Sequence, residues 1–72
     1  MDFVMELQGK IFAIECKATV SPSLQKGTYL AAEDIHPVHT LIAAPVEKTW
    51  SMGKGFTVTG LPDLQRTIEA FL

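Results

Sequence analysis

Two acidic residues and a lysine near the N-terminus have the types and the spacing needed for phosphodiester chemistry. Glu15 and Lys17 are two residues apart in an alternating run, so both point to the same face if that run is a strand. Asp2 opens a second alternating run. Two carboxylates that converge from neighbouring strands suit the oxygen coordination of Mg²⁺, with waters completing the octahedron. An adjacent lysine could orient the attacking water or stabilise charge on a phosphate.

These three side chains meet only if residues 2–18 form an antiparallel hairpin in one particular register. Gln8-Gly9 is a turn signal between the two alternating runs. A loop of two or four residues makes facing residue numbers sum to seventeen, which places Asp2 directly opposite Glu15. A loop of three residues would shift the register by one and separate them. The pattern is also that of a solvent-facing polar trio that only solubilises one face of a sheet.

A helix and a buried strand are predicted after the hairpin. Ser21-Pro22 is a helix-start signature, with Ser21 as the cap, and the helix should run to about Asp34. Gly27 lies inside this helix, where a close approach of the backbone to the sheet would explain it. The continuous apolar run from 38 to 44 predicts a strand covered on both faces.

The remaining residues predict a loop, a short strand and a helix. The loop spans about residues 45–55, the strand 56–59, and the last helix starts at Pro62. The predicted order is strand, strand, helix, strand, strand, helix, in a single domain over residues 1–72. The segment 10–44 is long enough for a right-handed parallel crossover, so the predicted class is α/β with a mixed sheet of about four strands.

Composition limits the function classes. The net charge is −2 and the six Lys and Arg residues are scattered, which argues against tight autonomous binding of DNA. A 72-residue chain has a marginal core, and 47% hydrophobic residues indicate a face meant for a partner. The single cysteine, Cys16, predicts a reducing, cytoplasmic setting, and alternation places it in the core opposite Glu15. No segment predicts a membrane span or a signal peptide.

Several separate blocks of the sequence resemble one protein family. The blocks are Asp2-Phe3-Val4, Ile14-Glu15-Cys16-Lys17-Ala18, Ser21-Pro22-Ser23-Leu24 with Lys26-Gly27, Glu33-Asp34-Ile35-His36-Pro37 and Ile42-Ala43-Ala44-Pro45-Val46. Together they resemble the C-terminal domain of a group of bacterial and archaeal AAA-type ATPases. That domain belongs to the PD-(D/E)xK, restriction-endonuclease-like superfamily. The resemblance covers about residues 2–61.

The resemblance implies a magnesium-dependent nuclease-type site. By similarity, Asp2 is the first acid of the motif, Glu15 the second and Lys17 its lysine. The two acids would bind Mg²⁺ together with the main-chain carbonyl of Cys16, and Lys17 would assist the water that attacks the phosphodiester. Lys26 lies where some superfamily members place a residue that contacts the nucleic-acid backbone.

The chain also departs from this family in ways that matter for function. Gly53-Lys54-Gly55 lacks the spacing of a phosphate-binding loop, so no nucleotide is expected. The superfamily core begins with a helix and an edge strand before the motif aspartate, and this sequence starts one residue before Asp2. We therefore expect a truncated fragment with weak or absent activity and an exposed edge from Asp2 to Leu7. That edge predicts a homodimer or a partner chain, and a non-catalytic interaction or regulatory module remains the alternative function.

Overall fold

Five strands and two helices make up the fold. The computed structural model describes all 72 residues. Its elements are β1 (Phe3–Leu7), β2 (Lys10–Cys16), α1 (Lys26–Ile35), β3 (His39–Ala44), β4 (Trp50–Gly53), β5 (Phe56–Gly60) and α2 (Leu64–Glu69), with a 3₁₀ turn at Leu61–Asp63. Neither helix has the length and apolar character to cross a membrane.

The strands form one mixed sheet in the order β1-β2-β3-β5-β4. β1 is antiparallel to β2 and β4 is antiparallel to β5, whereas β2, β3 and β5 run parallel. α1 supplies the crossover from β2 to β3. The predicted α/β class, opening hairpin and parallel crossover are confirmed.

The register of the β1–β2 hairpin is the predicted one. Leu7 faces Lys10 and Phe3 faces Ile14, so facing residue numbers sum to seventeen. The two-residue loop places Gln8 at φ 52° and Gly9 at φ 76°. Positive φ at both central residues is the backbone of the tight turns whose twist matches that of the flanking strands. The local turn therefore fixes which residues face each other along the whole hairpin.

The prediction of about four strands was wrong, because β4 lies inside the segment expected to be a loop. β4 is four residues long and carries no alternating pattern. It joins β5 through a turn in which Gly53, Lys54 and Gly55 all have positive φ. The pairing with β5 also shifts register between Ser51 and Gly53. Pairing with a neighbouring strand, and not local periodicity, makes this segment a strand.

The start of α1 was also predicted wrongly. The helix begins at Lys26, with Gln25 at its N-cap position, and not at Ser21-Pro22. The N–H of Ser21 donates a hydrogen bond to Oγ1 of Thr19 at 3.2 Å, which belongs to a local turn before the helix. Gly27 has open space around the position of a Cβ, so the expected close approach to the sheet does not exist.

Each face of the sheet has its own apolar cluster. On the face covered by α2, here called the α2 face, the cluster consists of Phe12, Ile14, Leu41 and Ala43 of the sheet and Ile68 of α2. The opposite face, here called the α1 face, carries Ile42, Ala44 and Val58, with Leu24, Val46 and Met52 packed against them. Both clusters include residues of β3, and β2, β3 and β5 have buried residues on both faces, whereas the edge strands β1 and β4 have none.

His39 ties β3 to the C-terminal residues on the α2 face. Its ring stacks on the ring of Phe71, with centroids 3.7 Å apart, and its Nε2 lies 2.7 Å from Oγ1 of Thr57. Burial lowers the pKa of His39 from the ordinary value of 6.5. The folded chain therefore binds a proton at His39 less readily than the unfolded chain does.

We expect stability to fall with acidification through this histidine. Because the pKa of His39 is lower in the folded state, its contribution is complete above pH 6.5 and is lost as the pH falls through and below that value. Urea unfolding between about pH 8 and about pH 5.5, where carboxylates stay ionised, measures the effect. His39→Gln should flatten the profile. An unchanged slope in this variant would contradict the assignment to His39.

Candidate functional site

Glu15 and Lys17 are in direct contact near the end of β2. Nζ of Lys17 lies 3.3 Å from Oε2 of Glu15, and the side chains are 25% and 14% exposed, respectively. The N–H of Lys17 donates to the carbonyl of Ala43 at 2.8 Å, which extends the pairing of β2 with β3 by one residue. Both side chains of the predicted Glu-x-Lys pair are therefore held by regular sheet structure on the α1 face.

Thr28 of α1 completes the surroundings of Glu15. Its hydroxyl donates a 2.6 Å hydrogen bond to Oε2 of Glu15, and it is the only buried residue of α1. Sequence reasoning missed this residue. The available signal is its position three residues before Ala31 and seven before Ile35, which are helical spacings on the inward side. A hydroxyl side chain on the buried side of a helix indicates that a polar hydrogen-bond partner lies on the sheet beneath it.

Asp2 is hydrogen-bonded to the backbone at the end of β2. Its Oδ2 accepts a 2.7 Å hydrogen bond from the N–H of Cys16, and its own N–H donates to the carbonyl of Ile14 at 3.1 Å. The paired register ends at Phe3–Ile14, and both hydrogen bonds of Asp2 go to the backbone of Ile14 and Cys16, the residues on either side of Glu15. The structure thus brings Glu15 and Lys17 into contact and joins Asp2 to the main chain next to them.

The other two predicted site residues have simpler surroundings. Lys26 is the exposed first residue of α1 and makes neither an ion pair nor a side-chain hydrogen bond. Cys16 was predicted to be packed in the core, and this is wrong because the residue is exposed. It is the last residue of β2, and an open apolar cavity separates it from Leu61 and Leu64 at the start of α2. Its role in the candidate site is confined to its backbone.

The carboxylates of Asp2 and Glu15 are the possible metal ligands at this position. No group of three or more His, Cys, Asp or Glu side chains is arranged to hold a metal ion. Oε1 of Glu15 and Oδ1 of Asp2 accept no hydrogen bond from the protein, so one oxygen of each carboxylate is uncommitted. Mg²⁺ is usually held through one or two carboxylates and keeps several waters. The two uncommitted oxygens are therefore the protein atoms available to such an ion.

An apolar cavity adjoins the pair at the carboxyl ends of the parallel strands. Its volume is about 470 Å³, and Lys17 is its one charged lining residue. The remaining wall is formed by Cys16, Ala18, Ala43, Ala44, Pro45, Val46, Leu61 and Pro62. In open α/β sheets, ligands bind preferentially in the crevice outside the carboxyl ends of the strands. The candidate site therefore lies beside the crevice that this topology favours for ligands.

Comparison of the chain with protein-family models, with curated proteins and with solved structures gives no match in any of the three.

Proposed function

We propose that this chain is a metal-dependent nuclease-type domain of restriction-endonuclease-like fold, acting on a phosphodiester through Asp2, Glu15 and Lys17. The observation that carries the proposal is the 3.3 Å contact between Glu15 and Lys17 at the end of β2, with Asp2 hydrogen-bonded to Ile14 and Cys16, the residues on either side of Glu15. The succession of hairpin, crossover helix and parallel strand supports it, because the resemblance to PD-(D/E)xK domains implies that order. A fold alone does not fix a function, so the proposal rests on the residues of the site.

Each residue of the site has a distinct role in this proposal. The uncommitted oxygens of Asp2 and Glu15, with the carbonyl of Cys16, would hold Mg²⁺. When bound, the ion neutralises charge on the phosphate and promotes ionisation of water. The ammonium group of Lys17 would donate a hydrogen bond to a phosphate oxygen, which stabilises charge there, or would orient the attacking water. Thr28 fixes the rotamer of Glu15 through its 2.6 Å hydrogen bond, so the carboxylate is oriented before the ion arrives.

Activity is expected to be weak because the chain has little positive charge for a polyanion. Its net charge is −2, and each phosphate contact made by Lys or Arg adds to the affinity for nucleic acid. Lys26, exposed at the start of α1, is the proposed phosphate contact near the site. Because few phosphates would be neutralised, the affinity of a DNA complex should be low and should fall only weakly with added salt.

Metal binding tests the proposal directly. Substoichiometric Mn²⁺, a paramagnetic substitute for Mg²⁺, should broaden the amide signals of Asp2, Glu15 and Cys16 before any others. Glu15→Gln should abolish this broadening, and its amide oxygen can still accept the hydrogen bond of Thr28. Glu6→Gln removes an exposed carboxylate from the same hairpin and should leave the broadening unchanged. Uniform broadening, or equal effects of both variants, would contradict a site at Asp2 and Glu15.

Cleavage of DNA tests the role of the lysine. Lys17→Met should lower Mg²⁺-dependent cleavage on the order of 100-fold, since it removes the cation placed at the reacting phosphate. Lys48→Met, in the exposed segment before β4, is the matched control and should retain activity. Chelation of the metal should abolish cleavage by both proteins. Cleavage that survives Lys17→Met would exclude this role.

A non-catalytic interaction module is the second candidate function. The observation that favours it is the amount of apolar side chain left exposed, including Phe3 at 60% and Leu61 at 67%. Exposed apolar surface of this kind marks contact with other proteins. The two candidates differ in the Mn²⁺ experiment, because an interaction module has no need of a metal at Asp2 and Glu15.

A further inference from the structure

The outer edge of β1 offers a short row of backbone groups to another strand. β1 pairs only with β2, so it is an edge strand of the sheet. The tight turn makes Leu7–Lys10 a hydrogen-bonded pair, and such pairs alternate along an antiparallel ladder. Phe3, Met5 and Leu7 therefore direct their N–H and C=O groups to β2. Those of Val4 and Glu6 point outward and can pair with a further strand.

Nothing in β1 blocks such pairing. The strand contains no proline or lysine, and its pairing with β2 has no bulge; these are the usual devices that keep edges from associating. Its side chains are also poorly covered, with Phe3 60% and Val4 54% exposed. Two apolar cavities, of about 340 and 360 Å³, run between β1 and α2 and share Met5, Ile14 and Leu64. The edge is thus both open and apolar.

We propose that two copies of this chain associate through β1, antiparallel about a two-fold axis that passes beside Met5. Since the outward groups belong to even-numbered residues, three two-fold registers are available. Pairing Val4 with Val4 places Asp2 opposite Glu6, and pairing Glu6 with Glu6 opposes two carboxylates. Pairing Val4 with Glu6 opposes no like charges. Because directly opposed like charges destabilise a sheet, the charge pattern of β1 selects the third register.

This register also matches apolar side chains across the interface. Val4 and Glu6 of each copy exchange backbone hydrogen bonds with Glu6 and Val4 of the other. Met5 faces Met5 at the axis, and Phe3 of each copy faces Leu7 of the other. Leu7 lines the 360 Å³ cavity on the α2 face, so the exposed Phe3 ring of the second copy would lie beside that cavity. The α2 faces of the two copies become one continuous apolar layer.

The dimer does not depend on the proposed nuclease function. Glu15 and Lys17 lie on β2 and beyond its end, one strand away from the interface, and Asp2, which precedes β1, makes its hydrogen bonds to β2 and not to the outer edge. Association and metal binding can therefore fail or succeed separately.

Sedimentation equilibrium on a matched set of variants tests the dimer and its register. The unmodified chain should show a dimeric mass that dissociates on dilution. Val4→Glu places a carboxylate opposite Glu6 twice per dimer and should raise the dissociation constant on the order of tenfold. Val4→Lys places an ammonium opposite Glu6 and should lower it or leave it unchanged. The Val4→Glu, Glu6→Lys double variant should restore association, which shows that Val4→Glu did not simply unfold the chain.

Two results would overturn the proposal. The first is a monomeric mass for the unmodified chain at about 1 mM. The second is that Val4→Lys and Val4→Glu have equal effects on association: equal weakening would place Val4 opposite another Val4, and no change would place it outside the interface.

Discussion

Phe12→Ala is expected to remove most of the stability of this chain. The Phe12 side chain is fully buried on the α2 face against Ile14, Leu41 and Ile68. Truncation of a buried phenylalanine costs about 3–5 kcal/mol, through lost apolar burial and the cavity left behind. A domain of 72 residues has a free energy of unfolding of roughly 4–11 kcal/mol in total. Urea unfolding followed by circular dichroism should show a variant that is largely unfolded or close to its midpoint in buffer.

Phe3→Ala is the matched control for this result. It is the same chemical change in the same hairpin, at a side chain that is 60% exposed. At low micromolar concentration, where association is negligible, we expect a loss below about 1 kcal/mol. Equal losses at Phe3 and Phe12 would mean that β2 is not the centre of the α2-face core.

Gly60→Ala is the second change with a large expected effect, and its sign is opposite to the one that local preferences predict. Gly60 has φ −76° and ψ 153°, a conformation that alanine adopts easily. Local preference alone therefore predicts a small gain in stability from alanine. A Cβ at this position would, however, lie closer than 3.0 Å to the carbonyl oxygen of Val46. Because that atom is backbone, relief requires a shift of the chain, and we expect a loss of about 1–3 kcal/mol.

Gly27→Ala provides the control with the opposite sign. Gly27 lies in α1, and a Cβ there meets nothing within 4 Å. Alanine should stabilise the helix by up to about 1 kcal/mol relative to glycine. Thermal unfolding of the two variants beside the unmodified chain gives the comparison. A gain in both variants would show that the segment containing Val46 moves freely.

The sequence by itself determined the features whose cause lies within a few neighbouring residues. Alternation with period two predicted β2 and put Glu15 and Lys17 on one side of it. The Gln8-Gly9 turn predicted the hairpin register, because a two-residue loop with positive φ permits only one pairing of the flanking strands. The apolar run that forms β3 was likewise visible, since a strand covered on both faces has no polar face.

Only the tertiary structure decided the features that depend on residues far apart in the chain. β4 is a strand because β5 lies beside it, and Thr28 binds Glu15 because the crossover lays α1 on that face. Gly60 is needed because Val46 passes over it, whereas Gly27 has open space. Periodicity and turn residues report on a window of a few residues. Contacts between residues 15 and 28, or 46 and 60, arise only when the sheet assembles, so no local pattern carries them.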